Sequence, residues 1–139
     1  MTVRLRRSAR RLGGDAGNVA EFSLVAVLLV SIFLVVLQVG IYIHERNVMA
    51  ASAQAAARYA ANANVSSLAG EQRAKALISE VLSVKAASGI TCTADEVVGD
   101  GGLTVVVVHC VGSIPAIVTA VGNVLPVDVT GRAVKEGEQ

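Results

Sequence analysis

The sequence predicts an α+β protein in which a long N-terminal helix, membrane-spanning in its first half, precedes a small antiparallel β-sheet head with two additional helices. Residues 22–43 are apolar and carry no charged side chain, and residues 50–63 contain nine alanines. Both features favour helix. Two β-branched runs, 90–98 and 103–111, are separated by GDGG. Such runs around a glycine-rich turn favour a β-hairpin.

The charge of the chain is unevenly distributed. Residues 1–43 hold five arginines against Asp15 and Glu21, which gives +3, whereas residues 44–139 hold seven Lys/Arg against nine Asp/Glu, which gives −2. The arginines therefore form a short arm before the apolar run. We expect a basic leader at 1–17, a long helix at 18–63 and a head at 64–139, which is long enough for one small domain.

The apolar run predicts a single membrane span. Residues 22–43 would extend about 33 Å as a helix, against about 30 Å for a hydrocarbon core. The arginine arm would hold the N-terminus in the cytoplasm and leave the head outside it. No helix-turn-helix, zinc-finger or aromatic stacking pattern accompanies the arm, so the expected partner is the lipid bilayer and not nucleic acid.

A cleaved secretory signal is the alternative interpretation of this segment. RLRRSARRL resembles the basic start of such a signal, and Ala51-Ser52-Ala53 resembles its cleavage site. However, the apolar run exceeds the usual length of about 7–15 residues. His44, Glu45 and Arg46 also separate it from that site. These features favour a retained anchor.

The first two helices are predicted from propensity and periodicity. No proline precedes Pro115, so one helix is expected from about Val19 to Ala63. Small side chains in its second half would allow another helix or a sheet to approach closely. Ser66 or Ser67 can cap a second helix, and Gly89 suits its C-terminal end. Its expected buried stripe follows helical spacing: Ala74, Leu77, Ile78, Val81 and Leu82.

The C-terminal part predicts a short helix followed by a strand. Ser113 could cap a helix over 113–125, and Pro126 would end it. Its expected inward residues are Ile114, Ile117, Val118, Val121 and Leu125. A last strand over 127–134 would turn Val127, Val129 and Ala133 inward.

Cys92 and Cys110 lie nine residues before and nine residues after Gly101. A hairpin with a three-residue loop centred on Gly101 would place them directly opposite each other, within disulfide reach. A two-residue Asp100-Gly101 turn would make them diagonal neighbours instead. A disulfide is chemically available outside the cytoplasm. The alternative is a metal site with His109, but His109 and Cys110 would point to opposite faces of the strand, so the disulfide is favoured.

The sequence contains no pattern typical of a catalytic site. Motifs for a nucleophilic serine, a zinc protease or a phosphate-binding loop are missing from it. Asp95 and Glu96 are adjacent in a predicted strand and would face apart, which makes them a poor acid/base pair. We therefore expect a protein that is not an enzyme and needs no cofactor or metal.

Residues 13–65 resemble the TadE-like pseudopilins of tight-adherence (Flp-type) pilus systems. The resemblance is carried by GNVAEF, the apolar run and QVGIYIHERNVMAASAQAAARYAANA. It implies a pilin-like fold and a role in assembly of a pilus or a related secretion apparatus. The implied partners are other pilin or pseudopilin subunits and the assembly machinery. The alternative is a membrane-anchored extracytoplasmic binding domain unrelated to pili.

The resemblance also implies that a prepilin peptidase removes the basic leader. In the family a Glu occupies the fifth position after the cut. Cleavage after Gly17 would leave Glu21 fourth, whereas cleavage after Ala16 would leave it fifth, so the site stays open between Ala16 and Gly17, as does an unprocessed anchor. A new α-amino group could pair with Glu21 in the same or a neighbouring subunit. Otherwise Glu21 would interact only with the N-terminal helix dipole.

Overall fold

The computed structural model describes residues 15–99, 101–116 and 124–137. Its α+β architecture confirms the predicted fold class. The elements in chain order are the helices α1 (Asp15–Ala60), α2 (Ser67–Val81) and α3 (Val84–Ala87), followed by the strands β1 (Ile90–Val98), β2 (Thr104–Pro115) and β3 (Val124–Val134). The chain divides into two compact units, residues 1–36 and residues 37–139. The first unit contains the start of α1, and the second contains the rest of α1 and the head.

The segment after α1 contains two helices where a single one was expected. α2 ends at Val81, and Leu82 takes an extended conformation with φ −90° and ψ 157°. The Ser83 hydroxyl then accepts a hydrogen bond from the Ala86 N–H at 3.3 Å and begins α3. This cap stabilises a new helix start, so Gly89 does not end α2. Leu82 is buried as expected, but Val81 is 58% exposed.

The three strands form one antiparallel sheet in the order β1-β2-β3. Val98 pairs with Thr104, and the Gly99 N–H donates to the Leu103 carbonyl at 2.8 Å. The loop is therefore centred on Gly101, as the three-residue interpretation predicted. Gly101 has φ +93° and Gly102 has φ +77°, and glycine adopts these values without steric cost.

The sequence predicted a helix over 113–125. This prediction is wrong at both ends of the segment, which are the parts that the structure describes. Residues 113–115 belong to β2 and residues 124–125 to β3, where Ser113 pairs with Pro126 and Ile114 with Leu125. Ile114 is fully buried on the same face of β2 as Val106 and Val108, so alternation, and not helical spacing, decides its burial. Ile117, Val118 and Val121 lie outside the described residues.

The core lies between the inner face of the sheet, α2 and the second half of α1. α1 contributes mostly small residues, which are Met49, Ala53, Ala56, Ala57, Ala60 and Ala61. β3 contributes Val127 and Val129, as its alternation predicted. A Cβ added to Gly70 of α2 would lie 2.9 Å from the Ala60 Cβ. Small side chains thus allow α1 to pack closely against its neighbours, which the sequence also predicted.

Candidate assembly site on the long helix

The first part of α1 exposes apolar side chains all round. Large apolar residues from Val19 to Val36 are between 38% and 75% exposed, with Leu34 the least and Phe22 the most exposed. The helix is long and apolar enough to cross a membrane. A helix that is apolar on every side needs lipid or other helices around it. This part of α1 is therefore a candidate surface for a bilayer or for neighbouring subunits.

Two hydroxyl groups in this apolar part hydrogen-bond within the helix itself. Ser23 Oγ donates to the Val19 carbonyl at 2.8 Å, and Ser31 Oγ donates to the Val27 carbonyl at 2.7 Å. Both bonds span four residues, a pattern that lets serine satisfy its donor locally. The hydroxyl groups of Ser23 and Ser31 are therefore already hydrogen-bonded, so this surface of α1 can face the bilayer interior, which offers no hydrogen-bond partners.

The residues proposed for leader processing lie at the N-terminal end of α1. Ala16 and Gly17 belong to its first turn, because the helix begins at Asp15. Glu21 follows four residues after Gly17 and is exposed. Positions three or four apart share a helix face. A new α-amino group, at Gly17 or at Asn18, would therefore lie on the same face of α1 as Glu21. No hydrogen bond or ion pair engages Glu21 in the described part of the chain.

The second part of α1, from Leu37 onward, packs along β3. Tyr42 Oη donates to the Pro126 carbonyl at 3.1 Å. Further along, the Glu136 N–H donates to the Ala61 carbonyl at 2.8 Å. α1 and β3 therefore run in the same direction, and the head is attached to the helix over several turns.

A side-chain clamp lies between these two contacts. Gln54 Nε2 donates to the Arg132 carbonyl at 2.7 Å, and the Arg132 N–H donates to Gln54 Oε1 at 3.1 Å. The Gln54 amide thus takes the place that a neighbouring strand would have beside β3. A Cβ on the adjacent Gly131 would lie 2.4 Å from backbone atoms of Ala53. We call Gln54, Gly131 and Arg132 the helix–strand clamp.

Sequence reasoning did not identify the helix–strand clamp. One available signal was Gly131, because a glycine inside a strand often marks a close approach of another backbone. The Gln54 partner had no comparable signal, since 78 residues separate it from Arg132.

The two cysteines form a disulfide on the inner face of the sheet. Cys92 and Cys110 pair in the register, with an S–S distance of 2.06 Å and a Cα–Cα distance of 4.1 Å. His109 lies on the outer face, where its Nε2 is 2.8 Å from Asp128 Oδ1. The histidine and the two sulfurs are thus on opposite faces of β2, which disfavours the alternative of a shared metal site.

A groove with a volume of about 490 Å³ runs between α2, α3 and the start of β1. Its charged lining residue is Lys75, which forms an ion pair with Glu71. Ser79 and Ser88 also line it, but their hydroxyls donate to the carbonyls of Ala76 and Lys85. This arrangement does not pair a nucleophile with a base.

Comparison with protein-family models finds that residues 19–58 match the family described as TadE-like protein. The match confirms the resemblance over this segment. No significant match was found among curated proteins or among solved structures. The matched segment covers the exposed apolar part of α1 and much of the part that packs along β3.

Proposed function

From the TadE-like match on its long helix, we propose that this chain is a membrane-anchored pseudopilin that acts in assembly of a tight-adherence (Flp-type) pilus or a related secretion apparatus. The observation that carries the proposal is the coincidence of the match at 19–58 with the exposed apolar surface that begins at Val19. Such a surface suits a subunit that is held in a bilayer and can exchange lipid contacts for contacts with other apolar helices.

The proposed orientation places the N-terminus in the cytoplasm and the head outside it. Five arginines precede the apolar part of α1, and no arginine or lysine follows until Arg46. Positive charge on the cytoplasmic side is the arrangement that membrane insertion favours. The disulfide on the other side of the span supports this orientation, because disulfides persist in oxidising compartments.

In this role the head binds other proteins and performs no reaction. Its partners are neighbouring pilin or pseudopilin subunits and the assembly machinery, and a prepilin peptidase acts on the leader at Ala16 or Gly17. The proposal requires neither a cofactor nor nucleic acid. Its support is the exposed apolar helix, together with a head whose two cysteines are used in a structural bond.

The test is deletion of the gene in its native host, followed by complementation with the full chain. We expect the deletion to abolish sheared surface pili, and the wild-type chain to restore them. Intact-mass analysis of the membrane-extracted protein reports whether the leader is removed, and at which residue. The control is a complementing chain with Glu80→Gln, an exposed carboxylate of α2, which should behave as wild type. Unchanged pili in the deletion strain would favour the alternative of an envelope domain unrelated to pili.

A further inference from the structure

One end of the sheet lies beside α1 within the predicted membrane span. The Tyr42 hydroxyl contacts the Pro126 carbonyl, and Tyr42 precedes the last residue of the uncharged run, Ile43. Gln38, one turn earlier, is only 3% exposed, although it also belongs to that run. The last turns of the predicted span are therefore partly covered by the head.

The levels along the two elements can be compared, because α1 and β3 run in the same direction. From Tyr42 to Ala53 the helix rises about 16 Å at 1.5 Å per residue. From Pro126 to Gly131 the strand extends about 16 Å at 3.3 Å per residue. Tyr42 contacts Pro126, and Ala53 lies against Gly131. The distance between these two contacts is therefore the same along the helix and along the strand. By the same scales Val124 lies about 6 Å beyond Pro126 towards the N-terminal end of α1, at the level of Gln38.

Charged residues begin at similar distances beyond the contact between Tyr42 and Pro126, both on α1 after its uncharged run and on β3. On α1 the first charged residue after the uncharged run is Glu45, three residues after Tyr42, and on β3 the first is Asp128, two residues after Pro126. These offsets correspond to about 5 Å and about 7 Å. From Cys110 to Val127 the sequence contains no charged residue. A single plane therefore separates the uncharged run of α1 and the uncharged end of the sheet from the charged residues that follow on both elements.

The uncharged end exposes apolar side chains. Val124 is 56% exposed, and Val39 and Ile43 on the adjacent helix are 52% and 51% exposed. We call Pro115, Val124 and Pro126 the charge-free end of the head, and Val39 and Ile43 lie at the same level on α1. The nearby α3 carries Lys85, and an exposed lysine is compatible with lipid phosphates at the membrane surface.

We propose that the charge-free end of the head lies in the outer interfacial region of the bilayer. The head then contacts lipid directly at the ends of β2 and β3, in addition to being tethered by α1. Lipid is the occupant that the observations favour, because this end lies at the level of Val39 and Ile43, which belong to the uncharged run of α1 and are exposed, and because charges begin beyond this level on both elements. This inference rests on the proposed membrane anchor.

The test uses the fact that the chain contains no tryptophan. Single tryptophans are introduced into the full chain at Val124, at Leu28 in the middle of the apolar part, and at Leu103 at the opposite end of the sheet. Leu103 precedes β2, which extends about 36 Å from Thr104 to Pro115. Each variant is reconstituted in phosphatidylcholine vesicles with and without brominated acyl chains. Formation of the Cys92–Cys110 disulfide reports that the head has folded, and Pro126→Trp serves as a second reporter of the charge-free end.

We expect brominated lipid to remove most of the emission of Leu28→Trp and of Val124→Trp, and to leave Leu103→Trp unchanged. If Leu28→Trp is quenched while Val124→Trp and Pro126→Trp are not, the lipid contact is wrong and the membrane anchor stands. If none is quenched, the anchor and the contact both fail. Protection of Val124→Trp from both brominated lipid and aqueous iodide would indicate a neighbouring subunit and overturn the lipid assignment. Quenching of Leu103→Trp would show non-specific adsorption of the head to the vesicle and would likewise overturn it.

Discussion

Glu21 stands one residue before the uncharged apolar run, exposed and at the start of a helix that we place in a bilayer. An ionised side chain costs about 2.5–3.5 kcal/mol at the centre of a membrane helix and less at its edge. Two arrangements offset that cost. A carboxylate in the first turns of a helix interacts favourably with the helix dipole. A new α-amino group, produced by leader removal, would add a charge-assisted hydrogen bond.

The substitution Glu21→Gln separates these arrangements. Gln is similar in shape and keeps an acceptor oxygen, so we expect the protein to reach the membrane at normal level with its disulfide formed. If Glu21 pairs with an α-amino group of another subunit, the variant loses a strong contact in a medium of low dielectric and fails to support pili. The measurements are a membrane-fraction blot, crosslinking and pilus shearing, with Glu80→Gln as the matched control. Normal pili from Glu21→Gln would limit the role of Glu21 to the helix end, where its effect is about 0.3–1 kcal/mol.

At the scale of the elements, the hairpin β1–β2 and the packing of α1 on β3 define the head. The hairpin holds the disulfide, and both sulfur-bearing residues are buried. The packing of α1 depends on small side chains, because Gly131 brings the strand backbone against Ala53. Each feature can be perturbed separately.

The disulfide prediction concerns the double variant Cys92→Ala/Cys110→Ala. The bond closes a loop with a sequence separation of 18, and loops of this size contribute about 3 kcal/mol in the chain-entropy model. We expect a loss of this order in the free energy of unfolding, measured by denaturant titration of the detergent-solubilised chain. Peptide mapping of wild-type protein from the cell envelope, without reductant, should show the linked pair. Free thiols or bound zinc in that sample would contradict the disulfide.

The packing prediction concerns Gly131→Ala. The added methyl would lie 2.4 Å from the Ala53 backbone, so α1 and β3 must separate. Overpacking of this kind costs about 1–3 kcal/mol, and backbone cannot give way as a flexible side chain does. Gly137→Ala is the control, because a Cβ at Gly137 meets nothing within 4 Å. A Gly131→Ala variant as stable as Gly137→Ala in the same denaturant titration would show that the close approach is not tight in solution.

These elements also show how far the sequence could predict the fold. The register of β1–β2 could be predicted because Cys92 and Cys110 lie symmetrically about Gly101, although the turn residues alone left a two-residue Asp100-Gly101 turn open. The segment 113–125 could not, because Ile114 and Leu125 fit a helical stripe as well as an alternating strand. Their pairing in the sheet decides between the two, and a residue pattern does not encode that pairing. The break between α2 and α3 could not be predicted either, because the apolar stripe continues to Leu82, whereas α2 ends at Val81 and Ser83 caps α3.

At the scale of the whole chain, the charge distribution predicts topology. The sum of +3 before residue 44 and −2 after it favours retention of the N-terminal side in the cytoplasm. A reporter enzyme that is active only outside the cytoplasm should therefore be active when fused after Gln139, and inactive when fused after Gly14. The measurement is reporter activity per unit of fusion protein in intact cells. Activity with the opposite pattern would reverse the orientation and remove the redox argument for the disulfide.

The Gln54 amide has a consequence for how copies of this protein can join. A strand at the edge of a sheet presents unpaired N–H and C=O groups, which can recruit a strand from another molecule and start aggregation. At Arg132 both backbone groups are already bonded to Gln54. An incoming strand would have to displace the amide before it could extend the ladder along β3. Addition of a strand from another molecule is thus disfavoured at this edge of the sheet.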